Sequence, residues 1–340
     1  MTRTVTVIDV GGTHIRWGSW SAEGGLICRQ RLPTPSFRSH AKLSVPQLQK
    51  LLIEAIAVLP PNEEGALVGV SFGAAIDHIN GTVYASAPLW GSHNTPFDLQ
   101  GALSRSRADV RWHVVNDVTA ALLHVVSLPL CMRDKKVMLV MVSTGIAVRT
   151  ICRKTMKIPF DASGLQGEIG HIPVTASLCD QPVILNCDCG EPGHLSAYSS
   201  GPGIAQMAEI LRKRYPQEWS DSALGGRIAD GEPFEDAFRF AVIAGDCIAT
   251  TLLNAVTAPV ADVLRITLCL APDVDRIVLT GGVAVSLGQH YKAAIMTHLQ
   301  RQGIYITSQY HPDWIEDRIV IFEAECLVGA GNAALVEMKK

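Results

Sequence analysis

Apolar residues arrive along this chain in two rhythms, and the rhythm changes wherever glycine, serine and threonine cluster. Residues 4–10, TVTVIDV, are apolar and β-branched, which predicts a strand, and Gly-Gly-Thr ends it abruptly. A second strand is predicted around Leu26–Arg31. Residues 46–58 then set Leu48, Leu51, Leu52 and Ile56 at helical spacing. LVGVSFGAAID and TVYASAP flank Asn80-Gly81, a dipeptide that predicts a type I′ hairpin. VRWHVV reads as a further strand, running into a helix that starts near Asp117.

The same grammar then repeats. KVMLVMVSTGI is an apolar strand closed by a small hydroxyl/glycine turn, and DRIVLTGGVA, near 275–284, is another. Helical patterns run around 203–215 and 233–258, and 326–337, CLVGAGNAALVE, predicts a closing helix. Strand followed by Gly/Thr turn, met three times, suggests two related α/β halves facing one cleft. The expected division is 1–118 with the C-terminal helix at about 327–340, against 119–326.

Composition narrows the function classes. The 340 residues are 48% apolar and 18% charged, a globular balance with enough chain for two cores. Net charge is -3 without a basic tract, which argues against nucleic acid and anionic membrane as partners. No secretory signal precedes the first strand, and the most apolar run, Val137–Val142, is far too short to span a bilayer. The nine cysteines are odd in number and mostly scattered, as reduced thiols would be, so a cytoplasmic location is expected.

Candidate chemistry sits at the strand ends. In Asp9-Val10-Gly11-Gly12-Thr13, glycines after a buried strand let the backbone approach phosphate oxygens, Thr13 adds a hydroxyl, and Asp9 is placed to hold Mg²⁺ directly or through water. The alternative is a tight turn with an Asp cap. The pattern is neither G-x-G-x-x-G nor a Walker A sequence. Ser143-Thr144-Gly145 and Gly281-Gly282 are the second and third such turns, and ligands of α/β sheets bind at carboxyl ends of strands. Asn116-Asp117 closes VRWHVV: Asp117 is either a helix N-cap or the general base for an attacking hydroxyl. In the Gly-rich stretch Gly164–Gly170, Glu168 and His171 are either surface polar residues or a grip on vicinal hydroxyls. Cys187-Asp188-Cys189-Gly190-Glu191-Pro192-Gly193-His194 is dense in soft ligands. Cys187, Cys189 and His194 with His171 upstream would supply four tetrahedral zinc ligands, Cys179 could compete, and a reduced loop is the plain reading.

Taken in order, these motifs resemble the ROK family (repressors, open reading frames and kinases), whose members include bacterial glucokinases and N-acetylmannosamine kinases. The resemblance spans nearly the whole chain. It implies a two-domain actin-like ATPase/sugar-kinase fold with a cleft between domains, ATP and Mg²⁺ as cofactors, a structural Zn²⁺, and a homodimer. It makes Asp9–Thr13 an ATP phosphate loop, Asp117 the catalytic carboxylate, and Gly281-Gly282 a turn near the adenosine. Asn116, Glu168, His171, Ser196 and Gly73 become substrate-binding residues, with His171 also a zinc ligand.

The departures bear on the substrate. The family's third zinc Cys is His194 here, and the final Glu of the zinc motif, which looks toward the anomeric end of the sugar, is Ser196. An Asn after the sugar-side hairpin is Pro88, and the usual Pro-Gly is Phe72-Gly73. The phosphate loop G-T-G-I-G-G-G is Ser143–Arg149, so Arg149 is expected to put a charge where backbone donors stood. Loss of the Glu removes a strong acceptor for a hydroxyl, and such sites discriminate sharply. The expected reaction is therefore phosphorylation of a primary hydroxyl on a C7-cyclitol of the valiolone type, with an ordinary hexose as the alternative. A transcriptional repressor is disfavoured because the turn at residue 9 leaves no room for a helix-turn-helix, and a silent sugar-binding regulator is disfavoured because Asp9 and Asp117 are both present.

Overall fold

The computed structural model describes residues 4–338. The chain divides into two compact units, one of residues 1–133, 157–166 and 324–340, the other of 134–156 and 167–323.

The first unit is built on a five-stranded sheet. β1 (Val5–Val10), β2 (His14–Ser21) and β3 (Gly25–Pro33) form an antiparallel meander, and β4 (Ala66–Phe72) and β8 (Val110–Asn116) extend it in parallel, in the order β3-β2-β1-β4-β8. The sequence pattern missed β2. Its apolar residues are spaced as a strand, with Ile15 and Trp20 buried, but polar and charged neighbours dilute the signal. Between β3 and β4 lies α1 (Val45–Ala57), whose Leu48, Leu52 and Ile56 are fully buried. β5 (Ala75–Ile76), β6 (Thr82–Ala85) and β7 (Phe97–Asp98) make a small second sheet, flanked by α2 (Ala87–Trp90) and α3 (Leu99–Ser106).

The hairpin at Asn80-Gly81 is present, but its turn is not type I′. Asp77 N–H donates to Thr82 C=O and Gly81 N–H donates back to Asp77 C=O, both at 2.9 Å, and Gly81 alone of the dipeptide has positive φ (72°). The Asp77 carboxylate accepts from Ile79 N–H at 2.8 Å and sets a longer loop instead. The stretch 157–166 belongs to this unit, its Phe160 stacked on His78 with centroids 3.9 Å apart.

A boundary at residue 118 would cut into α4 (Asp117–Val125), which stays with the first unit because α13 (Cys326–Glu337) packs on it. Glycine makes this packing close. A Cβ at Gly329 would collide with Ala120 C=O of α4, one at Gly331 with the Trp20 ring, and one at Gly69 of β4 with Ala330 C=O.

The second unit repeats part of that plan. β9 (Lys136–Val142) pairs antiparallel with β10 (Ile146–Cys152) and parallel with β13 (Arg276–Thr280), which carries β14 (Ile319–Ile321), in the order β10-β9-β13-β14. A short ladder, β11 (Ala176–Leu178) with β12 (Gln181–Val183), precedes α5 (Leu195–Ser199) and α6 (Gly201–Arg214). Then come α7 (Pro216–Ser220), α8 (Ala223–Ala229), α9 (Phe234–Ile243) and α10 (Cys247–Leu270), so the single helix expected over 233–258 breaks at Gly245, where φ is 73°. α11 (Gly282–Gln302), kinked at Gly288, and α12 (Thr307–Tyr310) complete the unit. Among the described residues α10 is long and apolar enough to cross a membrane by length and composition, but Leu252, Val256, Val260 and Leu264 of it are buried in this unit's core.

Candidate active site

In the first unit the parallel register aligns the carboxyl ends of three strands. Val10 of β1 stands opposite Phe72 of β4, and Phe72 opposite Asn116 of β8. The residues that follow, Gly11, Gly73 and Asp117, therefore emerge side by side. Gly73 N–H donates to Val10 C=O at 3.2 Å, and a Cβ at Gly73 would lie 3.5 Å from Asp117 Oδ2, so glycine keeps space in front of that carboxylate.

Asn116, rather than Asp117, is the N-cap of α4. Its Oδ1 accepts from Val118 N–H at 2.9 Å and Thr119 N–H at 3.2 Å, and its Nδ2 donates to Ala74 C=O at 2.7 Å. With those groups engaged, Asn116 serves the site by fixing the strand-to-helix junction. Asp117 takes the first helical position, and its Oδ1 accepts from Val118 N–H at 2.9 Å. Behind it the Cys326 thiol, buried and 3.6 Å from Asp117 C=O, is pushed well above its usual pKa by burial and by the nearby Asp9 and Asp117.

Gly12 and Thr13 form the tip of the β1–β2 turn, which Gly11 closes by donating to His14 C=O at 3.1 Å. The buried Thr34 braces it through a 2.8 Å hydrogen bond to Gly11 C=O. Gly12 also has a packing role, since a Cβ there would stand 2.6 Å from the Pro88 side chain. Asp9 is not a bare carboxylate. Arg16 donates to Oδ2 from Nε (3.0 Å) and Nη2 (2.7 Å), and Ser71 Oγ donates to Oδ1 at 2.7 Å. Burial works against the Arg16 charge, but Asp9 and Glu325 outweigh it and raise the guanidinium pKa. A carboxylate offers about four acceptor positions, so Asp9 keeps capacity for a metal-bound water. Arg16 and Ser71 carried no signal in the sequence.

In the second unit two glycine turns converge. Ser143 N–H donates to Gly145 C=O at 2.9 Å, and Ser143 C=O accepts from Gly201 N–H, the first residue of α6, at 2.8 Å. Gly281, with φ 92°, approaches so closely that a Cβ would meet Val142 carbonyl carbon at 2.8 Å. The N-termini of α6 and α11 thus meet the Ser143–Gly145 turn, Gly282 opening α11, and helix N-termini favour phosphate. Sequence reasoning missed the α6 contribution, although Ser200-Gly201-Pro202 carries a readable signal: Ser200 caps the helix through Gly203 N–H, with proline in the first turn.

The expected charge at the phosphate turn is not there. Arg149 lies within β10, is 1% exposed, and pairs with Glu168 (Nη2 to Oε1, 3.1 Å). Where the family has its run of three glycines, Ala147, Val148 and Arg149 continue as regular strand against β9.

The stretch 167–170 is strapped along the free edge of β10. Val148 N–H donates to Gly167 C=O at 2.8 Å, and at Gly167 (φ 65°) a Cβ would meet Val148 C=O. At Gly170 a Cβ would collide with Ile146 C=O and with Ser196 Oγ. Glu168, His171 and Ser196 are thereby gathered on one short frame, Glu168 partly exposed and Ser196 on α5.

His171, Cys187, Cys189 and His194 also come together, their ligand atoms all within 4.8 Å of one another. Cys187 Sγ lies 3.7 Å from His171 Nδ1 and Cys189 Sγ lies 3.2 Å from His194 Nδ1. Such separations suit four ligands on a tetrahedral ion with bonds of about 2.0–2.3 Å. Gly190 (φ 99°) and Gly193 (φ 77°) allow the knuckle, and burial pushes the Cys187 thiol up. Cys179 is outside this group, in the β11–β12 turn beside Tyr215.

Comparison with known proteins bears on what these frames are for. The model of the ROK family matches residues 5–311. The chain belongs to the ROK family. Among curated relatives of this ROK protein, the 2-epi-5-epi-valiolone 7-kinase of Actinoplanes sp. is 52% identical over 97% of this chain and 92% of its own length. A C(7)-cyclitol 7-kinase of Streptomyces hygroscopicus subsp. jinggangensis is 28% identical, covering 98% and 94%. Among solved structures, the ROK family glucokinase from Streptomyces griseus, in complex with glucose and AMPPNP, superposes with a TM-score of 0.72 at 19% identity over 98% of both chains. The fold is that of the ROK sugar kinases, as the motifs implied.

Proposed function

We propose that this ROK protein is an ATP-dependent kinase that phosphorylates the primary hydroxyl of a C7-cyclitol of the 2-epi-5-epi-valiolone type. The observation that carries the reading is the 52% identity, over nearly all of both chains, to a kinase of that substrate. Ser196 supports it: the residue expected at the anomeric end of a sugar is a short hydroxyl, packed against Gly170 beside Glu168.

On this reading Asp117 accepts the proton of the attacking hydroxyl as its oxygen bonds to the γ-phosphorus and the bond to the β-phosphate oxygen breaks, releasing ADP. The carboxylate suits the role because Asn116, not Asp117, caps α4, and because Gly73 leaves room before it. Glu168 and His171 take hydroxyls of the cyclitol. The Gly12-Thr13 tip, the Ser143–Gly145 turn and Gly281-Gly282 receive the nucleotide. Mg²⁺, when bound with ATP, neutralises phosphate charge, and Asp9 would hold it through water while Arg16 and Ser71 fix the carboxylate. A structural zinc fits His171, Cys187, Cys189 and His194. The homodimer implied by the resemblance and the cytoplasmic location expected from the cysteines belong to the same reading.

Release of ADP, measured for purified protein with Mg-ATP and a panel of 2-epi-5-epi-valiolone, glucose and N-acetylmannosamine, tests it. Turnover with the cyclitol far above that with either sugar is expected. Efficient glucose turnover with an inert cyclitol would make the enzyme an ordinary hexose kinase, and an inert panel would favour a binding protein.

A further inference from the structure

We propose that Arg149 is a positioning residue for the acceptor: it holds Glu168 through Oε1 and so fixes the direction in which this carboxylate meets the cyclitol. The inference rests on the reading of Glu168 as an acceptor-binding residue.

Arg149 is 1% exposed whereas the Glu168 side chain is 38% exposed, so the pair is lopsided: a sealed cation beneath a carboxylate that reaches solvent. The guanidinium donates to Glu168 Oε1 at 3.1 Å and to Val148 C=O at 2.9 Å, and its Nε has no acceptor. As a device for stability this is poor. Burying a guanidinium costs desolvation, a buried donor without a partner adds to the cost, and apolar replacements of buried ion pairs are often neutral or stabilising. What the arrangement does supply is direction. The Gly167 and Gly170 contacts pin the backbone of Glu168 to the edge of β10. Arg149, from inside the same strand, then fixes the side chain. A carboxylate so held is oriented before the substrate arrives.

Steady-state kinetics with 2-epi-5-epi-valiolone and Mg-ATP, with thermal melts, test this on Arg149→Met, Glu168→Gln and the double variant. Arg149→Met is expected to raise the acceptor KM on the order of tenfold, with the ATP KM unchanged, kcat within a few-fold and no loss of Tm. Glu168→Gln is expected to raise the acceptor KM at least as much and to lower Tm, because it strands a buried charge. The double variant should be no worse than Glu168→Gln in acceptor KM, since Arg149 acts only through Glu168. An Arg149→Met protein with normal acceptor KM and a lowered Tm would make the arginine purely structural and overturn the proposal. A folded Glu168→Gln enzyme with normal acceptor KM would instead remove Glu168 from the acceptor site, and the proposal with it. If Arg149→Met cannot be purified, Arg149→Gln, neutral and polar, carries the same expectations.

Discussion

On the proposed reading, the chemistry and the choice of substrate turn on Asp117 and Ser196. Asp117→Asn keeps the shape of the junction, because the cap belongs to Asn116, but removes the proton acceptor. A fall in kcat of at least ~10²-fold with little change in Tm is expected. Near-normal turnover in a folded variant would sink the assignment. For Ser196, a hydrogen bond to a charged group is worth roughly 1.5–3 kcal/mol against about 1 for a neutral one. Ser196→Glu is therefore expected to move the ratio of kcat/KM toward glucose by about tenfold. An unchanged ratio would mean that Ser196 does not read the ring position where glucose carries its anomeric hydroxyl. Single residues were also where the sequence misled. Arg149, expected at the phosphate turn, lies instead within β10, where Ala147, Val148 and Arg149 stand in place of three glycines and pair with β9. Ladder pairing of that kind is not visible from spacing alone.

At the scale of elements, the knuckle 187–194 and the strap 167–170 form one frame. His194 is the N-cap residue of α5, which carries Ser196, and Leu195 N–H donates to Ile172 C=O at 3.1 Å, next to His171. An ion held by His171, Cys187, Cys189 and His194 would tie both sides of the acceptor frame together. Elemental analysis is expected to give about one zinc per chain, and removal by a strong chelator to lower Tm and raise the acceptor KM before the ATP KM. A metal-free protein with full stability and activity would reduce the knuckle to a turn. Elements with a clean period were legible: α1 and α13 fall within about a residue of the expected spans, as do β1 and β8. β2, paired between β1 and β3, and β10, at the edge of its sheet, were not, because polar and charged residues interrupt both. The hairpin turn was misassigned because the Asp77 carboxylate, not Asn80-Gly81 alone, determines the loop.

For the whole molecule, the repeated strand-and-turn grammar corresponds to a repeated sheet plan: antiparallel strands first, then parallel ones, in both units. The strand-end Gly/Thr turns and the clustering of the four soft ligands were legible because each lies in one or two short motifs. Arg16, Ser71 and the α6 N-terminus were not, since they reach Asp9 and the Ser143 turn only through the sheet register and the helix packing. On the proposed function this ROK protein prefers a C7-cyclitol to a hexose. The most direct measurement is a competition: enzyme and Mg-ATP with equimolar 2-epi-5-epi-valiolone and glucose, the phosphorylated products quantified by ³¹P NMR and mass spectrometry. The account expects cyclitol 7-phosphate as the dominant early product, and glucose 6-phosphate in excess would contradict it.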